Sequence, residues 1–393
     1  MHLRLIREGV FILIFSGVLA AQAGSQSKYM DISFSSLFAV GWASAKEPAL
    51  RQLQGGAHDP RQRGFGVQNL ELSFAGAVDP YLNGEAHLIF QIDETGESIL
   101  EVEEAFLTTR SMPLALQVKA GTFFTEFGRL NPQHPHSWSF VDQPLISTRM
   151  MGGDGLRGPA ARLSWLSPLP WYAEFLLGAH NPRGETAFSF LSGEPEFAGY
   201  PLVQRGLLKD TDLVRSARWL NSANLGPEIT FNLGASGLWG PNSTGIDGKT
   251  TILGTDLYLK WQPQVNDRGW PFVALQAEVM SRQYVAAPDS GTGMAGETLV
   301  DNGWYAQLLW GFRPGWVAAV RHELATGSGA EGGDPLRSRR ARYAGNLSYY
   351  PSEFSKLRLQ LNLDRASHLG EQIEWGLWLQ FEFLLGQHAG HKF

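Results

Sequence analysis

The 393-residue chain contains no cysteine. That excludes a disulfide framework and thiolate metal sites, so an exported form of this chain must be held together by other means. Long apolar runs are almost as scarce. After the stretch 10–20, nothing approaches the ~20 apolar residues that a helical membrane span requires. Charge is sparse as well: 18% of residues are charged and the formal net charge is −6, which leaves no basic footprint for nucleic acid. Motifs of hydrolytic and nucleotide chemistry are missing. There is no Gly-x-Ser-x-Gly elbow, no His-Glu-x-x-His pair and no P-loop. Ser137 beside His136 is sequence adjacency, not a triad. The chain therefore reads as a non-enzyme that needs no cofactor for its chemistry.

What is present begins at the N-terminus. Arg4 and Arg7 precede the apolar run, and Ala21-Gln22-Ala23 follows it. A basic region, a short apolar region and a small-x-small site make a secretory signal peptide over 1–23. The remainder, 24–393, reads as a single domain. It is rich in glycine (45 residues) and aromatics (12%), yet its mean hydropathy is only −0.16. A barrel whose strands face lipid on one side and water on the other has this balance.

Alternation at period two is the stronger signal. Leu357, Leu359, Leu361 and Leu363 oppose Lys356, Arg358, Gln360, Asn362 and Asp364. Trp375, Leu377, Leu379, Phe381 and Phe383 oppose Glu374, Gln380 and Glu382. Tight proline-marked connections, such as Asp79-Pro80 and Arg313-Pro314, alternate with long ones at 43–64, 125–155, 181–211 and 286–299. Aromatic residues near strand ends (Trp171, Trp261, Trp270, Trp304, Trp316 and Tyr349) suit interfacial girdles. The fold class is all-β: a transmembrane antiparallel barrel with short periplasmic turns and longer outer loops. The spans are 29–42, 65–78, 81–92, 99–110, 114–124, 155–166, 171–180, 212–221, 227–240, 250–262, 270–285, 300–312, 315–325, 338–350, 354–365 and 371–386. That makes about sixteen strands, or fourteen without the first and the eighth. Glu101-Val102-Glu103-Glu104 breaks the alternation, as either a bulge or a misplaced register would.

Several stretches carry a family resemblance. They are Val102-Glu103-Glu104-Ala105-Phe106, Lys119-Ala120-Gly121-Thr122-Phe123-Phe124, the loop from Gly128 to Leu145, and the tail from Gln380 to Phe393. They resemble outer-membrane proteins often labelled zinc-regulated TonB-dependent receptors, which are related to sixteen-stranded phosphate-selective porins. The receptor part of that label implies a plugged 22-stranded barrel, for which 393 residues are too few. The porin part implies a Gram-negative outer-membrane channel passing small hydrophilic solutes or ions. It also implies partners in the lipid bilayer and lipopolysaccharide, recognition of Phe393 by barrel-assembly machinery, and a homotrimer.

The same resemblance makes the loop 125–154 an inward-folded constriction. Arg129, Arg149 and Asp154 on that loop, with Lys119, Arg162, Lys260, Glu278, Arg282 and Arg358 on the strands, are the expected pore-lining set. By register, Arg321, Arg340, Arg342 and Lys356 also point inward, against Glu85, Glu228, Asp256, Glu323, Asp364, Glu374 and Glu382. The two signs nearly cancel, so no anion-selective excess is visible. Arg337, Arg339, Arg340 and Arg342 form the one basic cluster, expected as a solvated strand end or a contact for lipopolysaccharide. His134 and His136, with Asp142 in reach, are the candidate Zn²⁺ ligands of an alternative receptor reading; plain polar loop residues are the competing one.

Overall fold

The structure, a computed structural model, describes residues 30–92, 96–181, 183–204, 206–329 and 333–386. The expected signal peptide and Phe393 lie outside the described residues.

The strands run in chain order as β1 (Met30–Ala43), β2 (Gly64–Ala77), β3 (Leu82–Ile92), β4 (Ser98–Thr109), β5 (Leu116–Phe124), β6 (Arg157–Leu166) and β7 (Tyr172–His180). A two-stranded hairpin of β8 (Glu196–Phe197) and β9 (Tyr200–Pro201) stands apart. Then follow β10 (Val214–Asn224), β11 (Ile229–Pro241), β12 (Lys249–Trp261), β13 (Phe272–Ala286) and β14 (Glu297–Arg313). The last are β15 (Trp316–Ser328), β16 (Arg340–Ser352), β17 (Ser355–Ala366) and β18 (Ile373–Gly386). All but β8 and β9 form one closed antiparallel barrel of sixteen strands, sealed where β1 pairs with β18 from Ser33↔Gly386 to Ala43↔Gly376. The expected first and eighth strands are both present, as β1 and β10.

Alternation sorts the side chains. Leu357, Leu359, Leu361 and Leu363 of β17 are each 38–49% exposed on the outside, whereas Lys356, Arg358, Gln360, Asn362 and Asp364 are at most 4% exposed on the inside. A continuous apolar outer wall of this kind is stable against lipid, and closure leaves no unpaired strand edge within it. No helix among the described residues is long and apolar enough to cross a membrane.

Three details differ from the sequence expectation. β5 begins at Leu116 rather than 114, because Leu114 and Ala115 adopt positive φ (60° and 56°) in the turn that precedes it. Trp270 is not part of a girdle. It is 3% exposed, packed on Phe272 at 5.1 Å inside the 262–271 connection. Trp304 lies mid-strand rather than at an end, edge-on to His322 at 5.0 Å.

The break in alternation is a bulge in β4. His87 pairs with Glu104 and Leu88 with Val102, so Glu103 is the extra residue. Glu103 and Glu104 are 1% and 5% exposed, both turned inward. β2 has its own irregularity at Gln68, between the pairs Leu37↔Asn69 and Phe38↔Val67.

At the closing seam, Trp378 (0% exposed) lies opposite Gly41. A Cβ at position 41 would stand 2.3 Å from the indole and 2.2 Å from the Leu377 carbonyl oxygen. Gly41→Ala is therefore expected to destabilise the seam by about 1–3 kcal/mol, as overpacking does. The check is the temperature at which the folded band disappears in a semi-native gel, which should fall.

Candidate functional site

The loop between β5 and β6, residues 125–156, turns into the lumen. Its fixation is built from the backbone outward. The N–H groups of Arg129 and Leu130 donate to Glu278 Oε1 at 3.1 and 2.9 Å. The Val141 N–H donates to Gln360 (2.9 Å) and the Leu145 N–H, opening the short helix Leu145–Met151, to Glu323 (2.6 Å). The carbonyls of His136 and Trp138 accept from Lys356 and Arg358 at 3.2 and 3.0 Å. Asp142 is the central anchor: Arg321 Nη2 lies 2.6 Å from Oδ1 and Arg342 Nη1 2.9 Å from Oδ2. Gln360 donates to it as well, at 2.9 Å. Burial alone would raise the Asp142 carboxyl, but Arg342 and then Arg321 hold it below its ordinary range.

An apolar core completes the seat inside the barrel. Phe127, Ile146, Met150 and Met151 of the loop pack with Phe190, Leu238, Ile252 and Met280. The 44–63 loop lies alongside. The Leu53 carbonyl accepts from both Arg340 and Arg342, and Asp59 accepts from the Gly56 and Gln143 N–H groups at 2.8 and 2.9 Å. The Asp59 carboxyl is pushed up to about 6, first by burial and then by Asp142, against the pull of those N–H groups and of Arg342.

The expected pore-lining residues divide into two groups. Glu278, Arg282 and Arg358 point inward but are 1%, 0% and 2% exposed, because the inserted loops lie on them. Arg282 pairs with Asp301 at 2.7 Å, and Glu278 accepts from the Tyr305 hydroxyl at 2.6 Å. Arg149 is also engaged, donating to the carbonyls of Leu336, Arg337 and Ser338 at 2.8–3.0 Å. The other group meets water. Lys119, Arg162, Lys260 and Arg129 keep partial exposure, the Lys119 and Arg162 side chains 14% and 10%, as do Glu85, Glu126 and Glu174. Lys119 sits 3.8 Å from Glu104, and Arg162 3.2 Å from Glu126. Arg129 stacks on Tyr258 at 3.9 Å, and with Lys260 it borders a cavity of about 250 Å³ beneath the loop. The charged side chains along β3–β7 and β12 thus keep partial exposure, and the cavity beneath the loop reaches Ala274, Val317, Lys356 and Arg358 of β13, β15 and β17.

Of the four arginines in the basic cluster, three are not solvated, whereas Arg339 is exposed. Arg337, Arg340 and Arg342 are 6%, 7% and 0% exposed, paired with Asp301, Asp364 and Asp142. Arg339 makes none of these pairs.

The expected triad of His134, His136 and Asp142 is not assembled, because Asp142 is committed to its two arginines. The imidazoles instead meet residues the sequence reading missed. His134 Nδ1 is 3.1 Å from Glu71 and 2.9 Å from Glu103, and Nε2 is 2.8 Å from Glu104. His87 stands 3.1 Å from Glu71. Burial would lower the His134 pKa, yet Glu71, Glu103 and Glu104 together hold its imidazolium well above the ordinary range. The broken alternation at 101–104 was the available signal for the two β4 carboxylates. Asp154 is half-buried, 4.0 Å from His58.

No family model matches the chain. An uncharacterized protein of Aquifex aeolicus is 29% identical over 400 residues, covering 94% of this chain and 81% of that one. Among solved structures, the outer membrane channel DcaP of Acinetobacter baumannii superposes with a TM-score of 0.58 at 13% identity, over 90% of this chain and 97% of DcaP. OprB of Pseudomonas putida gives 0.57 at 11%, over 91% and 94%. The trimer form of OmpT, an outer membrane protein of Vibrio cholerae, gives 0.54 at 7%, over 91% and 99%. These likenesses are of fold. They support the porin-like barrel and give no support to the TonB-dependent receptor label.

Asp142→Ala is expected to leave Arg321 and Arg342 short of a buried partner, a loss of about 3–5 kcal/mol in the loop's seat. Protease cleavage within 125–156 of the folded barrel should then become rapid while the barrel itself survives.

A second outcome follows from Asp59. A carboxyl with a raised folded-state pKa binds its proton more tightly when folded, so its contribution is full at low pH. It is lost as pH rises from the ordinary 3.8 through about 6. Thermal stability should fall between pH 4.5 and pH 7 more in the native chain than in Asp59→Asn.

Proposed function

We propose that the protein is a channel of the Gram-negative outer membrane, through which small hydrophilic solutes diffuse passively. The observation that carries this reading is the wet, charged part of the lumen left beside the inserted loop. Sixteen strands are wide enough for an aqueous channel, and a loop folded inward narrows it. The segment 125–156 is the constriction, and the wall side chains beside it are Lys119, Arg162 and Lys260, the first two pairing with its Glu126 at 4.0 and 3.2 Å. Lysines and arginines there are offset by Glu85, Glu126 and Glu174, so selectivity is set by the balance of two signs at short range. The lipid-facing wall supports residence in a bilayer, and the likeness to a trimeric neighbour supports a homotrimer. Lipopolysaccharide at the outer rim and assembly through Phe393 belong to the same reading.

Planar-bilayer recordings of the refolded protein test it. Stepwise openings with ohmic conductance are expected, and the double change Lys119→Ala/Arg162→Ala should move the reversal potential in a KCl gradient toward cation preference. A demonstrably folded barrel that stays electrically silent would overturn the channel.

A further inference from the structure

One place in the described lumen gathers three carboxylates and three imidazoles within direct reach of one another. Glu71 on β2, His87 on β3, and Glu103 and Glu104 on β4 converge from the wall on His134 of the inserted loop. Glu71 Oε1 accepts from the Ser73 hydroxyl at 2.7 Å and lies 3.1 Å from His87 Nδ1. Its Oε2 is 3.1 Å from His134 Nδ1, the same nitrogen that stands 2.9 Å from Glu103 Oε2. A ring nitrogen carries at most one hydrogen, so Glu71 and Glu103 contend for a single proton. Glu104 takes the other, at Nε2. Glu103 is 1% exposed, and its next basic neighbour, His58, is 4.0 Å away. Three buried carboxylates thus face three imidazoles and one ammonium: His134, His87 at 3.1 Å and His136 at 3.4 Å from Glu71, and Lys119 at 3.8 Å from Glu104.

The bulge sharpens the anomaly. Without the inserted residue, β4 would present one carboxylate here; with it, Glu103 and Glu104 both enter the lumen opposite His87. The oxygen or nitrogen atoms that Glu71, His87 and His134 offer all lie within 4.8 Å of one another. A cation replacing the contested proton would give each carboxylate a positive partner.

We propose that this cluster is a binding site for one divalent transition-metal cation, held by Glu71, His87 and His134 with Glu103 as the adjoining ligand. Mixed imidazole and carboxylate donors suit Zn²⁺, Co²⁺ or Ni²⁺ better than Ca²⁺ or Mg²⁺, which take oxygen alone. Three of the ligands sit on neighbouring wall strands and one on the inserted loop, so the ion would rivet the loop to β2, β3 and β4. Asp142 fastens it to Arg321 and Arg342. The ion is a structural staple in this account, and the inference does not depend on conduction.

The test uses the refolded full chain, freed of affinity tags and chelator-stripped. Calorimetric titration with Zn²⁺ at pH 7.5 is expected to show one site per chain, and Co²⁺ should give the visible absorption of a nitrogen- and oxygen-ligated ion. His134→Ala and Glu71→Gln should each weaken binding at least tenfold, and His87→Asn and Glu103→Gln should weaken it measurably. His368→Ala, away from the cluster, should leave it unchanged. Zn²⁺ should also slow protease cleavage of the 125–156 loop in the native chain and not in His87→Asn. If His134→Ala does not fold, the two milder variants decide the matter. A folded native chain that takes up no Zn²⁺ or Co²⁺, or uptake indifferent to His87→Asn and Glu103→Gln, would overturn the proposal and leave a proton-shared ion network.

Discussion

Everything in this molecule depends on the backbone hydrogen-bond ladder returning to its own beginning. Within a bilayer an unpaired N–H or C=O has no water to fall back on, so a sheet survives there only if it has no edge. The β1–β18 pairing supplies that closure over eleven registered pairs, from Ser33↔Gly386 to Ala43↔Gly376. Once the circle is closed, period-two alternation decides what every strand residue meets. Leucines at 357, 359, 361 and 363 go to lipid, and the polar residues between them go inside.

That sorting creates a second problem, which the loops solve. A lumen wall carrying Arg282, Arg321, Arg342 and Arg358 is stable when wet or when each charge is paired. The chain does both, on opposite sides. Against β13–β18, loop residues and their backbone groups neutralise much of the wall and leave one small cavity. Along β3–β7 the charges keep their solvent. A buried ion pair is weak evidence of stability in its own right, but removing one partner is costly, which makes the seat of the loop specific.

The barrel was legible in the sequence because its signal is local and repeated. The even alternation of β17 and the proline-marked turns needed no knowledge of what lay across the lumen, and even the β4 bulge announced itself as two adjacent glutamates out of phase. The site was less legible because its contacts are distant in the chain. Nothing near Asp142 shows that Arg321 and Arg342 will claim it, so its placement beside His134 and His136 was reasonable by proximity and wrong in space. Arg337, Arg340 and Arg342 misled in the same way. A run of arginines reads as solvated unless the aspartates that meet it, Asp301, Asp364 and Asp142, are known to be there. Glu71 and His87 lie on ordinary inward positions, and only the folded loop makes them neighbours.

The seat of the inserted loop has a consequence for how the protein is made. Asp142 reaches Arg321, Arg342 and Gln360 across 179, 200 and 218 residues of chain. Contacts of such separation form late, because the intervening chain must be ordered first. A nascent barrel that has laid down only its first strands has no place to put this loop, and no reason to exclude water from its interior. The loop can therefore take its seat only once the strands that carry Arg321, Arg342 and Gln360 are in place: the narrowing of the vessel waits on its far wall.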